Sequence, residues 1–281
     1  MALMLKSALS SYHRFINDQA DERTTHWFFV HSPLPVVTLL AGYLLIVCDV
    51  GPRFMKNRKP YNVDRLMIAY NLFQVFMCGV VVVRLVPEVW KADFFCEEIN
   101  YDKDAAGMSV PITTYIIYWL KICDLLDTIF FVLRKKYNQI TFLHVYHHTI
   151  MVFYVWLCLK YVAGGQMIYL GFINSFVHMV MYFYYMMTAY NPAYKKSPWW
   201  KKHITQLQLV QFFMSSVYMT MPLTQKDCNY PIAVPLMVLP QLFAITVLFA
   251  DFYYKTYIRS KPTIKPLEVQ TNGISKASKN E

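Results

Sequence analysis

The chain has 281 residues, of which 56% are hydrophobic, 17% aromatic and only 16% charged, with a formal net charge of +10. A helix needs roughly 20 apolar residues to cross the hydrocarbon core of a bilayer, and seven runs near that length occupy more than half of the sequence. A soluble enzyme and a separate soluble domain are thereby excluded; the composition predicts an all-α polytopic membrane protein with seven transmembrane helices.

The runs lie at about 33–50, 65–89, 112–133, 141–161, 166–189, 204–224 and 232–256. They divide the chain into an N-terminal segment (1–32), one seven-helix domain (33–260) and a polar tail (261–281) read as disordered. No secretory signal peptide is visible, and the first run is read as an uncleaved signal anchor. With the N-terminus outside, the inside segments carry eighteen Lys and Arg residues and the outside segments six. The positive-inside rule therefore puts the N-terminus outside and the C-terminus inside. The charge that gathers on the inner face would also suit anionic headgroups or a polyanionic soluble ligand, although topology alone accounts for it. Nothing in the sequence points to nucleic acid.

Residues 1–32 read as an amphipathic, partly ordered outer segment anchored by Trp27, Phe28 and Phe29. The first span is expected to end near Gly51-Pro52, because proline lacks the helical donor. Arg84 lies close to the outer end of the second span, where it can snorkel to the interface. Cys96 and Cys228 fall in the two larger outside loops, and an oxidising compartment would let them pair. Cys48, Cys78, Cys123 and Cys158 lie in apolar runs and read as small buried hydrophobes.

The third span carries Lys121, Asp124 and Asp127 in one membrane run. Each costs about 2.5–3.5 kcal/mol at the bilayer centre on insertion scales, so they must pair or line a wet cavity. Spacings of three put them on one face, where a Lys–Asp bridge is available. A bridge that only locks helices together explains the two aspartates well and the deep lysine less well. After Arg134-Lys135-Lys136 and a short turn, the fourth span opens on His144-Val145-Tyr146-His147-His148. His144, His147 and His148 leave one helix face. Gly164-Gly165 makes the outer turn. The fifth span then lays Asn174, His178, Tyr182 and Tyr185 along one polar stripe, and the sixth opens on Thr205, Gln208 and Gln211. These glutamines suit either a polar ligand or hydrogen bonds between helices. Pro235 and Pro240 mark kinks in the seventh span.

The polar residues thus gather at one depth, beneath a basic rim and above almost purely apolar spans. A ligand with a polyanionic head and a hydrocarbon tail has that polarity, and fatty acyl-CoA is such a ligand. Histidines could act on it in two ways. The first is as metal ligands, since H-x-x-H-H also occurs in membrane di-iron desaturases and hydroxylases. That chemistry draws on several histidine boxes. Of the eight histidines here, His13, His26 and His31 are outside and His203 is in a loop, leaving four at the site, too few for two irons but enough for a single ion held by neutral imidazole. The second is nucleophilic or acid–base work: imidazole attacks thioesters to give a labile acyl-imidazole and moves protons near neutral pH. A seven-span receptor or carrier is the non-enzymatic alternative, but it has no need of a histidine face beside a buried Lys–Asp cluster.

The sequence resembles the ELO family of very-long-chain fatty acid elongases, the 3-oxoacyl-CoA synthases of the endoplasmic reticulum. The matching stretches are Lys121 to Thr128, Arg134-Lys135-Lys136, the His144–His148 box, Asn174 through Tyr185 and Thr205 to Gln211. Asp124 departs from the family pattern, which usually has Glu there. The resemblance implies condensation of a long-chain acyl-CoA with malonyl-CoA, without cofactor or metal, in the endoplasmic reticulum membrane. By motif, His147 and His178 stand at the reacting thioester, either of them carrying the acyl group, with His144 and His148 orienting the rings. Lys121, Arg134, Lys136, Gln139, Tyr184, Lys201, Thr205 and Gln208 line the CoA path. Asp124, Asp127, Asn174, Tyr182 and Gln211 support them. A homodimer, and association with the other enzymes of the elongation cycle, are compatible with this reading.

Overall fold

The computed structural model describes residue 11 and residues 16–191, 193–194 and 197–259. The tail expected from 261 lies outside these residues. Among the described residues the chain forms seven long helices: α1 (Pro33–Met55), α2 (Asp64–Lys91), α3 (Ala105–Leu133), α4 (Phe142–Tyr161), α5 (Met167–Tyr190), α6 (Pro198–Thr224) and α7 (Ala233–Ile258). Their starts follow local chemistry. Ser32 caps α1 ahead of Pro33, Asp104 accepts from the Gly107 amide at the start of α3, and Thr141 accepts from the His144 amide at the start of α4. Such side chains satisfy amides that the first turn leaves unpaired. Pro198 occupies the first turn of α6, where its missing donor costs nothing.

Five of the seven, α1, α2, α4, α5 and α7, are long and apolar enough to cross a membrane. Their outward faces carry exposed Phe73, Phe76, Val83, Phe243 and Val247, as a lipid-facing surface requires. The chain is a membrane protein. Against the expectation of seven apolar spans, α3, which carries Lys121, Asp124 and Asp127, and α6, which opens on Lys201 and Lys202, fall short of that measure.

The first helix does not stop at Gly51-Pro52. A π-helical turn over Ile46–Val50 leads into Gly51–Met55. The wider turn absorbs the proline's lost hydrogen bond, and Gly51 is required there because a Cβ would lie 2.5 Å from the Ile46 carbonyl oxygen. The glycines of the α4–α5 turn behave as expected. Gly164 and Gly165 have φ of 142° and 59°, and a Cβ on Gly165 would press on Tyr230 at 2.6 Å.

In the packed bundle α2 lies along α5, α3 along α4, and α6 along α7. The first helix lies against α3 and α4, where Val36, Leu40, Tyr43 and Val47 pack with Tyr118, Leu125, Val152 and Trp156. The end of the bundle holding the α4–α5 turn is closed by residues 16–32 of the N-terminal segment, whose polar contacts reach well beyond what an amphipathic pattern suggests. Arg23 is buried there, bonded to Asp21 (2.6 Å) and to the carbonyl oxygens of Gly107 (2.8 Å), Ala163 (3.0 Å) and Asn100. Lys160, fully buried at the end of α4, donates to Asn17 Oδ1 (2.8 Å), the His31 carbonyl (2.9 Å) and Thr25 Oγ1. A disulfide between Cys96 and Cys228, with Cα atoms 5.7 Å apart, ties two loops together at this end. It is the pairing the loop assignment predicts. Arg84 Nε donates to Thr113 Oγ1 at 2.9 Å, tying α2 to α3.

Candidate active site

The third helix presents Lys121, Asp124, Asp127 and Thr128 along one buried face. Lys121 Nζ lies 3.3 Å from Asp124 Oδ2, which is the local bridge the spacing predicts. The same ammonium stands 3.4 and 3.3 Å from the two ring nitrogens of His178 on α5, and His178 Nδ1 is 3.7 Å from Asp124 Oδ2. Lysine, aspartate and histidine thus form one cluster. Asp127 instead takes the Tyr182 hydroxyl on Oδ2 at 2.8 Å.

The histidine box sits where α4 crosses this face. His144 Nε2 is 2.9 Å from Thr128 Oγ1, which also contacts Tyr43 OH at 2.8 Å. The rings of His144 and His148 are 4.2 Å apart, and those of His147 and His148 are 5.5 Å apart. His147 also meets the ring of Phe249 on α7 at 6.0 Å. The shared helix face is therefore real, but the three rings have different neighbours: His144 bonds to α3, while His147 faces α7 and a cavity.

That cavity, of about 130 Å³, is enclosed by α3 to α7, and is roughly ten times what a single water needs. Its walls carry Lys121 and His147 toward one end and Val110, Val162 and Gly164 toward the other, beside the plug made by the N-terminal segment. Between them the lining is chiefly apolar, with Ile117, Met151, Leu170 and Ile245 among it. Asn174 and Gln211, expected as supporting groups, both lie on this wall.

Of the residues expected along the CoA path, Lys121 lines the cavity and the other seven do not. Lys136, Gln139 and Lys201 are exposed at the basic end of the bundle. Arg134 pairs with Asp64 at 3.4 Å, Thr205 Oγ1 donates to the Lys201 carbonyl of its own helix at 3.0 Å, and Gln208 reaches Met181 Sδ at 3.6 Å. Tyr184 is buried, its ring stacked on Trp200. Among the described residues, no cluster of three or more His, Cys, Asp and Glu side chains is placed to hold a metal ion.

Sequence reasoning missed the contribution of α2. Gln74 donates to Asp124 Oδ1 at 2.6 Å and to Tyr70 OH at 3.0 Å. It also missed Tyr146, whose hydroxyl donates to Gln241 Oε1 on the cavity wall at 2.8 Å. In both cases the available signal was an uncharged amide inside an apolar run.

A helical membrane protein with a Lys–Asp–His cluster and a histidine box at one end of a chiefly apolar cavity has the make-up of a membrane-embedded enzyme. The family model described as "ELO: GNS1/SUR4 family" matches residues 28–265, and the chain belongs to that family. It is 40% identical over 264 residues to very long chain fatty acid elongase 7 of Rattus norvegicus, covering 92% of each chain. It is also similar to very long chain fatty acid elongase 4 of Mus musculus (35% over 272 residues, 96% of this chain and 86% of the relative). Very long chain fatty acid elongase 1 of the same species matches at 32% over 280 residues, 98% of this chain and 99% of the relative.

Proposed function

We propose that this chain, an enzyme of fatty acid elongation, catalyses the condensing step: a long-chain acyl-CoA and malonyl-CoA give 3-oxoacyl-CoA, CO2 and CoA. The observation that carries the reading is the presence of His147 and Lys121 on the wall of a chiefly apolar cavity, with Asp124 and His178 packed against Lys121. The acyl tail fills that cavity and the thioester stops at the imidazoles.

The reaction runs in two stages. An imidazole nitrogen of His147 attacks the thioester carbonyl, the C–S bond breaks and CoA leaves as the thiol after taking a proton. Malonyl-CoA then enters and loses CO2, and the electron pair left on its C2 attacks the acyl carbon. The C–N bond breaks and the imidazole is restored. Atoms and charge balance without a cofactor: the proton that leaves with CoA comes from the imidazole N–H, and the imidazole regains one from solvent as the C–N bond breaks. Lys121, beside His178, supplies a fixed positive charge for the oxygen that becomes negative on the way. His178 in place of His147 as acyl carrier is the second assignment, favoured by its contact with Lys121.

The chain crosses the endoplasmic reticulum membrane seven times, with its N-terminus lumenal and its C-terminus cytosolic. The disulfide end then faces the oxidising lumen, and the basic end, with Arg134, Lys136 and Lys201, meets CoA from the cytosol through charge-assisted hydrogen bonds to phosphate. The test is purified protein in lipid nanodiscs, given a long-chain acyl-CoA with and without malonyl-CoA, with products read by mass spectrometry. A 3-oxoacyl-CoA two carbons longer, formed only with malonyl-CoA, is expected; acyl-CoA binding with no such product would overturn the reading.

A further inference from the structure

We infer that Gln74 on α2 is a positioning residue for the condensation: it fixes the Asp124 carboxylate so that one oxygen faces Lys121 and His178. The inference rests on the condensing activity proposed above and concerns a residue that touches neither the cavity nor a histidine.

The argument is a count of protons. Asp124 has two carboxylate oxygens with separate duties. Oδ2 faces Lys121 Nζ at 3.3 Å and His178 Nδ1 at 3.7 Å. Oδ1 faces Gln74 Nε2 at 2.6 Å and Tyr182 OH at 2.9 Å. Tyr182 has one hydroxyl proton, and Asp127 Oδ2 stands 2.8 Å from the same oxygen. A single proton cannot serve both carboxylates. When it goes to Asp127, the amide of Gln74 is the donor that remains on Asp124 Oδ1.

Gln74 itself is held in one orientation. One N–H goes to Asp124 and the other to Tyr70 OH at 3.0 Å. Tyr70 can pass its own proton to Tyr182 at 3.4 Å or to the Cys123 carbonyl at 3.2 Å. A flipped amide would set its carbonyl oxygen against the carboxylate. In the observed orientation Oε1 is buried with no hydrogen-bond partner, and Gln74 is fully buried. A buried polar group left half-satisfied is costly. Its retention between a lipid-facing helix and the Lys–Asp–His cluster is accounted for by the direction it imposes on Asp124. Glue between α2 and α3 would be served as well by an apolar side chain of the same length.

The test uses the full chain in nanodiscs and two substitutions, Gln74→Met, which keeps length without a donor, and Gln74→Glu, which keeps shape but faces Asp124 with an acceptor. With Gln74→Met, kcat for 3-oxoacyl-CoA formation is expected to fall about tenfold to a hundredfold, the worth of one hydrogen bond to a charged group. KM for both CoA substrates and the fraction of protein that binds acyl-CoA stay as in wild type, while the unfolding temperature falls modestly because Asp124 Oδ1 loses a donor. Gln74→Glu falls at least as far. Adding Asp124→Glu to Gln74→Met, which lengthens the carboxylate arm by one methylene so that it can reach Lys121 without the hold of Gln74, recovers part of the lost kcat. Unchanged kcat in Gln74→Met overturns the inference. So does a loss matched by a fall in the acyl-CoA-binding fraction, and so does a double variant no better than Gln74→Met. A wild-type protein with no malonyl-CoA-dependent product would instead refute the activity proposed above, before any variant is compared.

Discussion

Two buried clusters of charge lie at opposite ends of α4. At one end Lys160, with neighbouring Asp21 and Arg23, binds mostly backbone carbonyls and neutral side chains of the N-terminal segment and loops. Its donors all have acceptors, and its surroundings are tightly closed. At the other end Lys121, Asp124 and His178 meet side chain against side chain, and Lys121 shares a cavity wall with His147 of the histidine box. There one tyrosine proton is contested by two carboxylates. The difference separates roles: a charge satisfied by backbone fixes the fold, while charges set against one another beside an open volume are arranged to act on a substrate.

The comparison breaks most easily at His147. His147→Ala should lower condensation by at least about a thousandfold, as loss of a nucleophile does, with the unfolding temperature little changed; retained turnover would move the chemistry elsewhere. At the opposite end Arg23→Met leaves Asp21 buried without its partner, and should cost about 3–5 kcal/mol of stability. Thermal unfolding of the purified protein would show it, while kcat per folded molecule stays at the wild-type value. A proportionate loss of kcat would erase the distinction between the two ends. Next in size is the disulfide. Cys96→Ser with Cys228→Ser should destabilise by about 2–4 kcal/mol, again without changing kcat, and the reducing-agent dependence of unfolding should vanish with it.

The smallest effect concerns Glu22, whose carboxyl is held below the usual carboxylate range by the hydrogen bond and charge of Lys103. A depressed folded pKa contributes stability above the unfolded value, which is lost as pH falls through the folded one. The pair is exposed and screened. Lys103→Ala should therefore return Glu22 to ordinary titration, read by NMR, with no resolvable change in unfolding temperature at neutral pH.

Much of this was legible in the sequence, for definite reasons. Lys121, Asp124 and the histidine box stand out because ionisable groups are costly in apolar runs, and helical spacing then fixes their shared face. Gln74 carries the same kind of signal more faintly, since an uncharged amide is cheap enough to pass as interhelical glue. The plug at the closed end was not legible: the contact of Lys160 with Asn17 joins residues 143 apart, and no local period records it. Nor was the continuation of α1 past Gly51-Pro52, because a π-turn is a backbone adjustment that leaves no mark on the apolar pattern. Most of the expected CoA-path residues came from motif resemblance, and the exposure of Lys136, Gln139 and Lys201 at the basic end reflects a surface that periodicity does not describe.

The most direct test of the account is the intact mass of the protein after mixing with a long-chain acyl-CoA and no malonyl-CoA. The account predicts a mass increase of one acyl group, released on adding malonyl-CoA and absent in His147→Ala. Wild-type protein that condenses at full rate yet never gains that mass would contradict it.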